Sequence, residues 1–149
     1  MLPENISYKI KTAGFNNVFA HLQNCNENFI PKLSEKTDIA VYSKKIIENS
    51  ITFEAWVNEE LVGLIAAYFN DVKNHSGYIT NVSTLNKYAG KGIASQLMKM
   101  CIGYACEHKF REISLEVFNK NTTAIMVYKK NFFIQTGTNG DLIIMKRDL

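Results

Sequence analysis

Nine consecutive residues, Leu61 to Phe69 (LVGLIAAYF), show almost no alternation of polar and apolar side chains. A strand with one wet face alternates at period two, and a strand that fails to do so is covered on both sides. The run is far short of the ~20 residues needed to cross a bilayer. It therefore predicts the inner strand of a layered domain with helices on both faces of a sheet. The chain of 149 residues suits one such domain, with core enough to dispense with disulfides or a structural metal. No repeat, low-complexity segment or Gly/Ser-rich linker divides it.

The rest of the pattern surrounds that strand. Ser7 to Lys11 alternates and reads as a first strand. Phe15 to Leu22 spaces Phe15, Val18, Phe19 and Leu22 as a short helix does. The polar stretch NCNENFIPKLSEK, broken by Pro31, reads as a loop. Thr37 or Asp38 caps a second helix that runs to about Glu48 and carries Ile39, Tyr42, Ile46 and Ile47 on or near one face. Ile51 to Val57 joins the central run through Asn58-Glu59-Glu60, a hairpin. Tyr78 to Leu85 is a further strand. It feeds the loop NKYAGKGIAS and a long helix with Ile93, Leu97, Cys101, Tyr104 and Ala105 on one stripe, ending near Lys109. Arg111 to Val117 alternates strictly, with Ile113, Leu115 and Val117 opposite Glu112, Ser114 and Glu116. Asn121 caps a helix to about Lys130. Phe132–Thr136 and Leu142–Lys146 flank Asn139-Gly140, a strong hairpin turn. The order is βααβββαβαββ, a mixed α/β chain with one strand–helix–strand crossover between hairpins.

Charge and composition narrow the function. Net charge is +3, mildly basic, and Lys87, Lys91, Lys129 and Lys130 read as solvated faces rather than nucleic-acid contacts, so no nucleic-acid partner is expected. The amino-terminal stretch MLPENISYKI has an acidic residue and no apolar core, unlike a secretory leader. Cys25, Cys101 and Cys106 are odd in number and lack CxxC spacing, so they read as buried reduced thiols, consistent with a cytoplasmic protein. His21, His75 and His108 show no ligand spacing, and no metal is expected.

The segment Tyr78 to Ser95 carries the first chemical signal. A strand enters a loop with Gly90 and Gly92, and a helix starts there. Its first turn leaves backbone N–H groups without partners at the positive end of the helix dipole. Glycines let a phosphate approach the backbone, and Lys87 and Lys91 add charge, so the loop suits a pyrophosphate. It is neither GxGxxG, since Ser95 replaces the third glycine, nor a Walker loop, since Gly90-Lys91 is followed by Gly92. The plain alternative is a strand-to-helix turn that needs glycines only for geometry.

The second signal is Leu115 to Phe132 (LEVFNKNTTAIMVYKKNF). Together with AGKGIASQLM it resembles the GCN5-related N-acetyltransferase (GNAT) superfamily, by motif over about Tyr78 to Phe132 and elsewhere by order of elements. That resemblance implies a single domain over 1–149. Its fold would be a central mixed, mostly antiparallel sheet of about seven strands with about four flanking helices, and its splayed central strands would form a V-shaped acyl-CoA cleft. It implies acetyl-CoA as cosubstrate, no metal, and an amine acceptor, either a small molecule such as an amino sugar or a protein or peptide. Homodimers are common in the superfamily. Carried over by position, Gly90, Lys91, Gly92, Ile93, Ala94 and Ser95 would hold the pyrophosphate by backbone amides. Val82, Ser83 and Thr84 would pair their backbone with the pantetheine arm. Asn121 would contact the pantetheine end, Tyr128 would serve as general acid at the thioester sulfur, and Glu116 as general base. Two positions depart from the pattern. Ala89 stands where the superfamily usually has Gln or Arg, forgoing a hydrogen bond to a charged group worth roughly 1.5–3 kcal/mol. Asn131 replaces a glycine, and Asn tolerates the left-handed backbone such a position requires.

The chemistry fits those residue types. An alkyl amine near pKa 10 is free of its proton in roughly one molecule per thousand at pH 7, so a carboxylate such as Glu116 helps to deprotonate it. A backbone N–H near Val82 would stabilise the oxyanion. The reference pKa of tyrosine lies ~1.5 units above that of a thiol, so full proton transfer from Tyr128 is uphill by about 2 kcal/mol. A hydrogen bond to the departing sulfur, or a locally lowered Tyr128 pKa, would resolve the mismatch. The alternatives are a core aromatic for Tyr128, an ordinary strand-end acid for Glu116, and a non-catalytic acyl-CoA sensor for the whole. Phe29, Tyr42 and Tyr68 could wall the acceptor slot, with Glu27 or Glu35 attracting a cationic amine.

Overall fold

The computed structural model describes residues 5–149; Pro3 and Glu4, part of the amino-terminal stretch considered above, lie outside them. The elements in chain order are β1 (Ser7–Ile10), α1 (Phe15–Cys25), α2 (Leu33–Lys36), α3 (Ile39–Asn49), β2 (Ile51–Val57), β3 (Glu60–Asp71), β4 (Ser76–Thr84), α4 (Ile93–Glu107), β5 (Glu112–Phe118), α5 (Thr122–Lys130), β6 (Ile134–Asn139) and β7 (Leu142–Asp148). The strands form one sheet in the order β1-β2-β3-β4-β5-β7-β6. Neighbours are antiparallel except β4 and β5, which run parallel and are joined through α4. The expected order of long elements is therefore present. The segment read as a loop also holds a 3-10 turn at Asn26–Asn28 and the one-turn α2.

β3 is covered on both faces, as its unbroken apolar run requires. Leu61, Leu64 and Ala66 pack with Val18, Leu22 and Ile46 beneath α1 and α3. Val62, Ile65 and Ala67 pack on the other face with Leu97, Met98, Cys101 and Ala105 of α4. Each large side chain buried this way contributes roughly 1.5–3 kcal/mol.

Gly63 lies between the two layers. A Cβ there would stand 2.6 Å from Ile93 Cγ2 and 3.3 Å from both Ala55 Cβ and Leu97 Cδ1. Glycine thus lets the first turn of α4 rest directly on β3. We expect Gly63→Ala to cost about 1–3 kcal/mol by overpacking and to shift the start of α4. Gly103→Ala, on the open side of α4 with nothing within 4 Å, should be neutral or stabilising by up to ~1 kcal/mol. Thermal melts and calorimetry of the two variants check both.

Two local expectations are corrected. Cys25 and Cys101 are buried free thiols, but Cys106 is exposed. Five residues beyond Cys101 is about 140° around the helix, which turns it to solvent. Asn131 is not left-handed: its φ is −96°, and the left-handed residue is Phe132, at +68°. Asn131 is instead buried, with Nδ2 donating to the Val127 carbonyl at 2.8 Å. The bend at Phe132 also delays the next strand to Ile134.

Candidate active site

A break in sheet pairing creates the site. β4 and β5 pair only from Ser76–Ile79 against Glu112–Leu115. Beyond that, β4 stays with β3 as far as Thr84 opposite Gly63, and β5 stays with β7 as far as Phe118 opposite Leu142. The two strands therefore diverge, each held by its outer neighbour. The divergence starts at a β-bulge: Ala66 opposes Asn81 and Ala67 opposes Ile79, so Thr80 is an extra residue on β4. An extra residue bends its strand and increases local twist. Tyr42 of α3 holds the bulge, its hydroxyl donating to the Thr80 carbonyl at 2.8 Å and lying 2.8 Å from Thr80 Oγ1.

The gap opens into a cavity of about 360 Å³ that includes Val82, Glu116, Asn121 and Tyr128 among its lining residues. Ser83 and Thr84 continue β4 from Val82, and the loop before α4 follows. Ser83 contributes only backbone to the cleft side. Its hydroxyl is buried, 2.8 Å from Asn81 Oδ1 and 2.8 Å from His21 Nε2.

Tyr128 belongs to the core and also lines the cleft. Its ring is in the core, 6.2 Å from the Phe133 ring. Its hydroxyl lies at the cavity, with no hydrogen-bond partner among the described residues. Burial raises its pKa well above the ordinary tyrosine value, so the hydroxyl keeps its proton at neutral pH. A locally lowered Tyr128 pKa is not what this setting produces.

Glu116 projects from β5 opposite the buried Ile113, Leu115 and Val117. It is exposed and reaches the same cavity. The Tyr78 hydroxyl donates to Oε1 at 3.3 Å and Asn139 Nδ2 donates to Oε2 at 3.2 Å. Burial, with Glu116 beside it, pushes the Tyr78 hydroxyl up to about 12. Asn121 caps α5, its Oδ1 accepting from the Ala124 amide at 3.3 Å, and it also lines the cavity.

The loop ahead of α4 has the form of an anion cradle. Gly90 and Gly92 have φ of +76° and +80°, a conformation that glycine adopts without strain. The first backbone bond of α4 runs from Gln96 N to the Gly92 carbonyl. The N–H groups of Ile93, Ala94 and Ser95 thus have no partner within the helix. No side chain caps this end and no acid sits in its first turn. The Tyr88 ring carries Lys87 Nζ at 5.3 Å and Lys91 Nζ at 5.5 Å from its centroid, and Lys87 also pairs with Glu60 at 3.6 Å. Sequence reasoning identified the lysines but missed the buried aromatic that holds them.

Of the acceptor residues considered, Phe29 and Tyr42 line the cleft, whereas Tyr68 lines a separate pocket with Lys45 and Asp71. Glu27 and Glu35 do not line the cleft, and Glu27 is paired with Lys32 at 2.9 Å. Among the described residues there is no cluster of three or more metal-ligating side chains, and no helix is long and apolar enough to cross a membrane.

The buried group behind β4 was also missed. His21 of α1 lies between the Leu61 carbonyl, 2.8 Å from Nδ1, and Ser83. A carbonyl only accepts, so Nδ1 carries the proton. Burial lowers the His21 pKa to about 4, below the ~6.5 of an unfolded chain. The unfolded state then binds the extra proton first, so this contribution to stability is intact above about pH 6.5 and is lost as pH falls toward 4. We expect about 2 kcal/mol less stability from this group at pH 5 than at pH 7.5, read as a fall in Tm that shrinks in His21→Asn.

The chain belongs to the acetyltransferase (GNAT) family, whose model matches residues 15–132. It is 29% identical over 90 residues to a spermine/spermidine N(1)-acetyltransferase of Bacillus subtilis (strain 168), covering 58% of this chain and 59% of that protein. It is 33% identical over 107 residues to N-alpha-acetyltransferase 30 of Xenopus laevis, covering 69% of this chain and 39% of that protein. The matched stretch thus spans less than two thirds of each relative's length. In three dimensions it resembles the PaiA N-acetyltransferase of Thermoplasma acidophilum, solved in complex with coenzyme A. The TM-score is 0.75 with 15% identity, covering 96% of this chain and 99% of that one. At that identity the likeness is one of fold.

Proposed function

We propose that the cleft transfers an acetyl group from acetyl-CoA to a primary amine on a small molecule, with amino sugars among the candidates. The observation that carries this reading is the coincidence of three features: strands that part at Ile79 and Leu115, a helix start with unpaired amides, and the Tyr128 hydroxyl in the gap. The amides of Gly90 to Ser95 hold the pyrophosphate, and the backbone of Val82 to Thr84 pairs with the pantetheine arm as an added strand would. Asn121 meets the pantetheine end through the part of its amide not used in capping.

The amine nitrogen attacks the thioester carbon and forms the C–N bond. Its proton passes to Glu116, directly or through water. A backbone N–H of β4 near Val82 stabilises the oxyanion. When the carbonyl re-forms, the C–S bond breaks and sulfur leaves with the electron pair. The Tyr128 hydroxyl donates a hydrogen bond to that sulfur, and the thiolate then takes a proton from solvent water, to which Glu116 returns the one it accepted. Burial of Tyr128 supports a hydrogen-bonding role over outright loss of its proton. The protein would not span a membrane and would act in the cytoplasm, where its free thiols stay reduced.

Calorimetry with coenzyme A, followed by thiol release across amino sugars, polyamines and peptides, tests the reading. We expect binding and turnover with at least one small amine. Tight binding with no turnover anywhere would make the protein a carrier-binding sensor, and turnover confined to peptides would make it a protein acetyltransferase.

A further inference from the structure

This inference rests on the acetyl-transfer reading and names the acceptor's charge. Among the described residues lining the cleft only two carry a formal charge, Glu116 and Lys36. Glu116 already accepts from Tyr78 and Asn139. Lys36, the last residue of α2, is exposed and has no ion-pair partner among the described residues. Its acidic neighbours in sequence do not reach the slot, and Glu27 is neutralised by Lys32. Around Lys36 the wall is apolar and aromatic, built from Phe29, Ile30, Pro31, Leu33 and Tyr42.

Such a slot is poorly matched to a polycation. A polyamine would bring one amine to the thioester beside Glu116, and its remaining ammonium groups would find no second carboxylate in the cleft and would meet the charge of Lys36. An amine whose far end is an anion would gain from the same charge, in a site whose apolar walls strengthen the attraction relative to open water. We propose that Lys36 is a specificity-determining residue, selecting a primary amine that carries a carboxylate or phosphate over a neutral amine or a polyamine. Selection against polyamines separates this chain from the named activity of its Bacillus relative.

The test measures kcat/KM by thiol release for two matched acceptor pairs and for spermidine. Phenylalanine is set against phenylalaninamide, and glucosamine 6-phosphate against glucosamine. Wild type is compared with Lys36→Gln and Lys36→Glu, and coenzyme A affinity is followed by calorimetry. We expect the anionic member of at least one pair to be favoured by about tenfold, mainly through KM; which pair responds tells carboxylate from phosphate. Lys36→Gln should abolish the preference, Lys36→Glu should turn it toward spermidine, and coenzyme A affinity should be unchanged. The proposal is overturned if wild type prefers spermidine or the neutral partners, or if the anion preference survives Lys36→Glu. It is also overturned if the variants lose coenzyme A affinity, since Lys36 would then serve the carrier. Turnover without charge preference overturns this proposal alone. No turnover with any amine overturns the acetyl-transfer reading and this proposal with it.

Discussion

Tyr128→Phe is expected to lower kcat about a hundredfold while leaving coenzyme A affinity within about twofold. The ring is packed in the core beside Phe133, and phenylalanine preserves that packing, so stability should change little. What is lost is the hydroxyl at the cavity, which has no hydrogen-bond partner among the described residues. Proton donation or strong hydrogen bonding in a transition state is worth typically 10²–10⁴-fold. The lower end applies because the raised pKa favours a hydrogen bond over full transfer. Steady-state kinetics with calorimetry on the same preparation separates the two readouts. A Tyr128→Phe variant with full kcat would remove this residue from the chemistry and leave it as core.

The largest effect on stability is expected at Glu54, which does not line the cleft. This residue of β2 is completely buried. Oε2 accepts from the backbone amides of Thr12 and Ala13, both at 3.0 Å, and from the Thr52 hydroxyl. Oε1 accepts from the Thr12 hydroxyl and from Trp56 Nε1 at 3.1 Å. All five partners are donors, so the group acts as a pure acceptor that ties the segment between β1 and α1 to the sheet. Glu54→Ala removes every bond and leaves two amides and an indole N–H without partners in the interior. Each hydrogen bond to a charged group contributes about 1.5–3 kcal/mol, and breaking a buried charged network costs roughly 3–5 kcal/mol. We expect a loss of about 4 kcal/mol, or ~10 °C in Tm for a domain of this size. Glu54→Gln should cost about half as much. With its NH2 at the Oε1 position, the Thr12 hydroxyl can turn to accept, and only the Trp56 N–H is left facing a donor. Thermal melts of the two variants, ranked in that order, check the argument.

The difference between Tyr128 and Glu54 shows what a chain discloses by itself. Tyr128 could be placed beside the cleft because Asn121, Ala124 and Tyr128, downstream of a glycine loop, match the spacing of the family the chain resembles, and such a match survives in one dimension. The central position of β3 was legible because burial on both faces leaves a one-dimensional trace, the absence of alternation. Glu54 leaves only a weak trace, one acid inside ITFEAWV, and its partners at Thr12 and Ala13 are about forty residues away. The bulge at Thr80 leaves none, because it is a mismatch between two strands and not a property of either. Gly63 could have been noticed as a glycine inside a strand pattern, the usual sign of a close backbone approach. His21 fell on the apolar face of α1, where nothing in sequence tells a hydrogen-bonded histidine from a packing residue. Lys36 was hidden in a stretch read as polar loop, and only the fold of that stretch over the cleft gives its charge a meaning.

β4 and β5 are parallel neighbours joined by a helix, and that connectivity has a consequence for how function is located on the chain. A strand that must be re-entered from the same end sends its connection back across the whole sheet. The return therefore has to begin at the carboxyl edge of β4, the edge at which the sheet comes unzipped. The cradle at the start of α4 and the gap between β4 and β5 share one rim because of the path of the polypeptide, with no side chain needed to align them. Substitutions elsewhere can retune what enters that rim without having to rebuild its two halves to match.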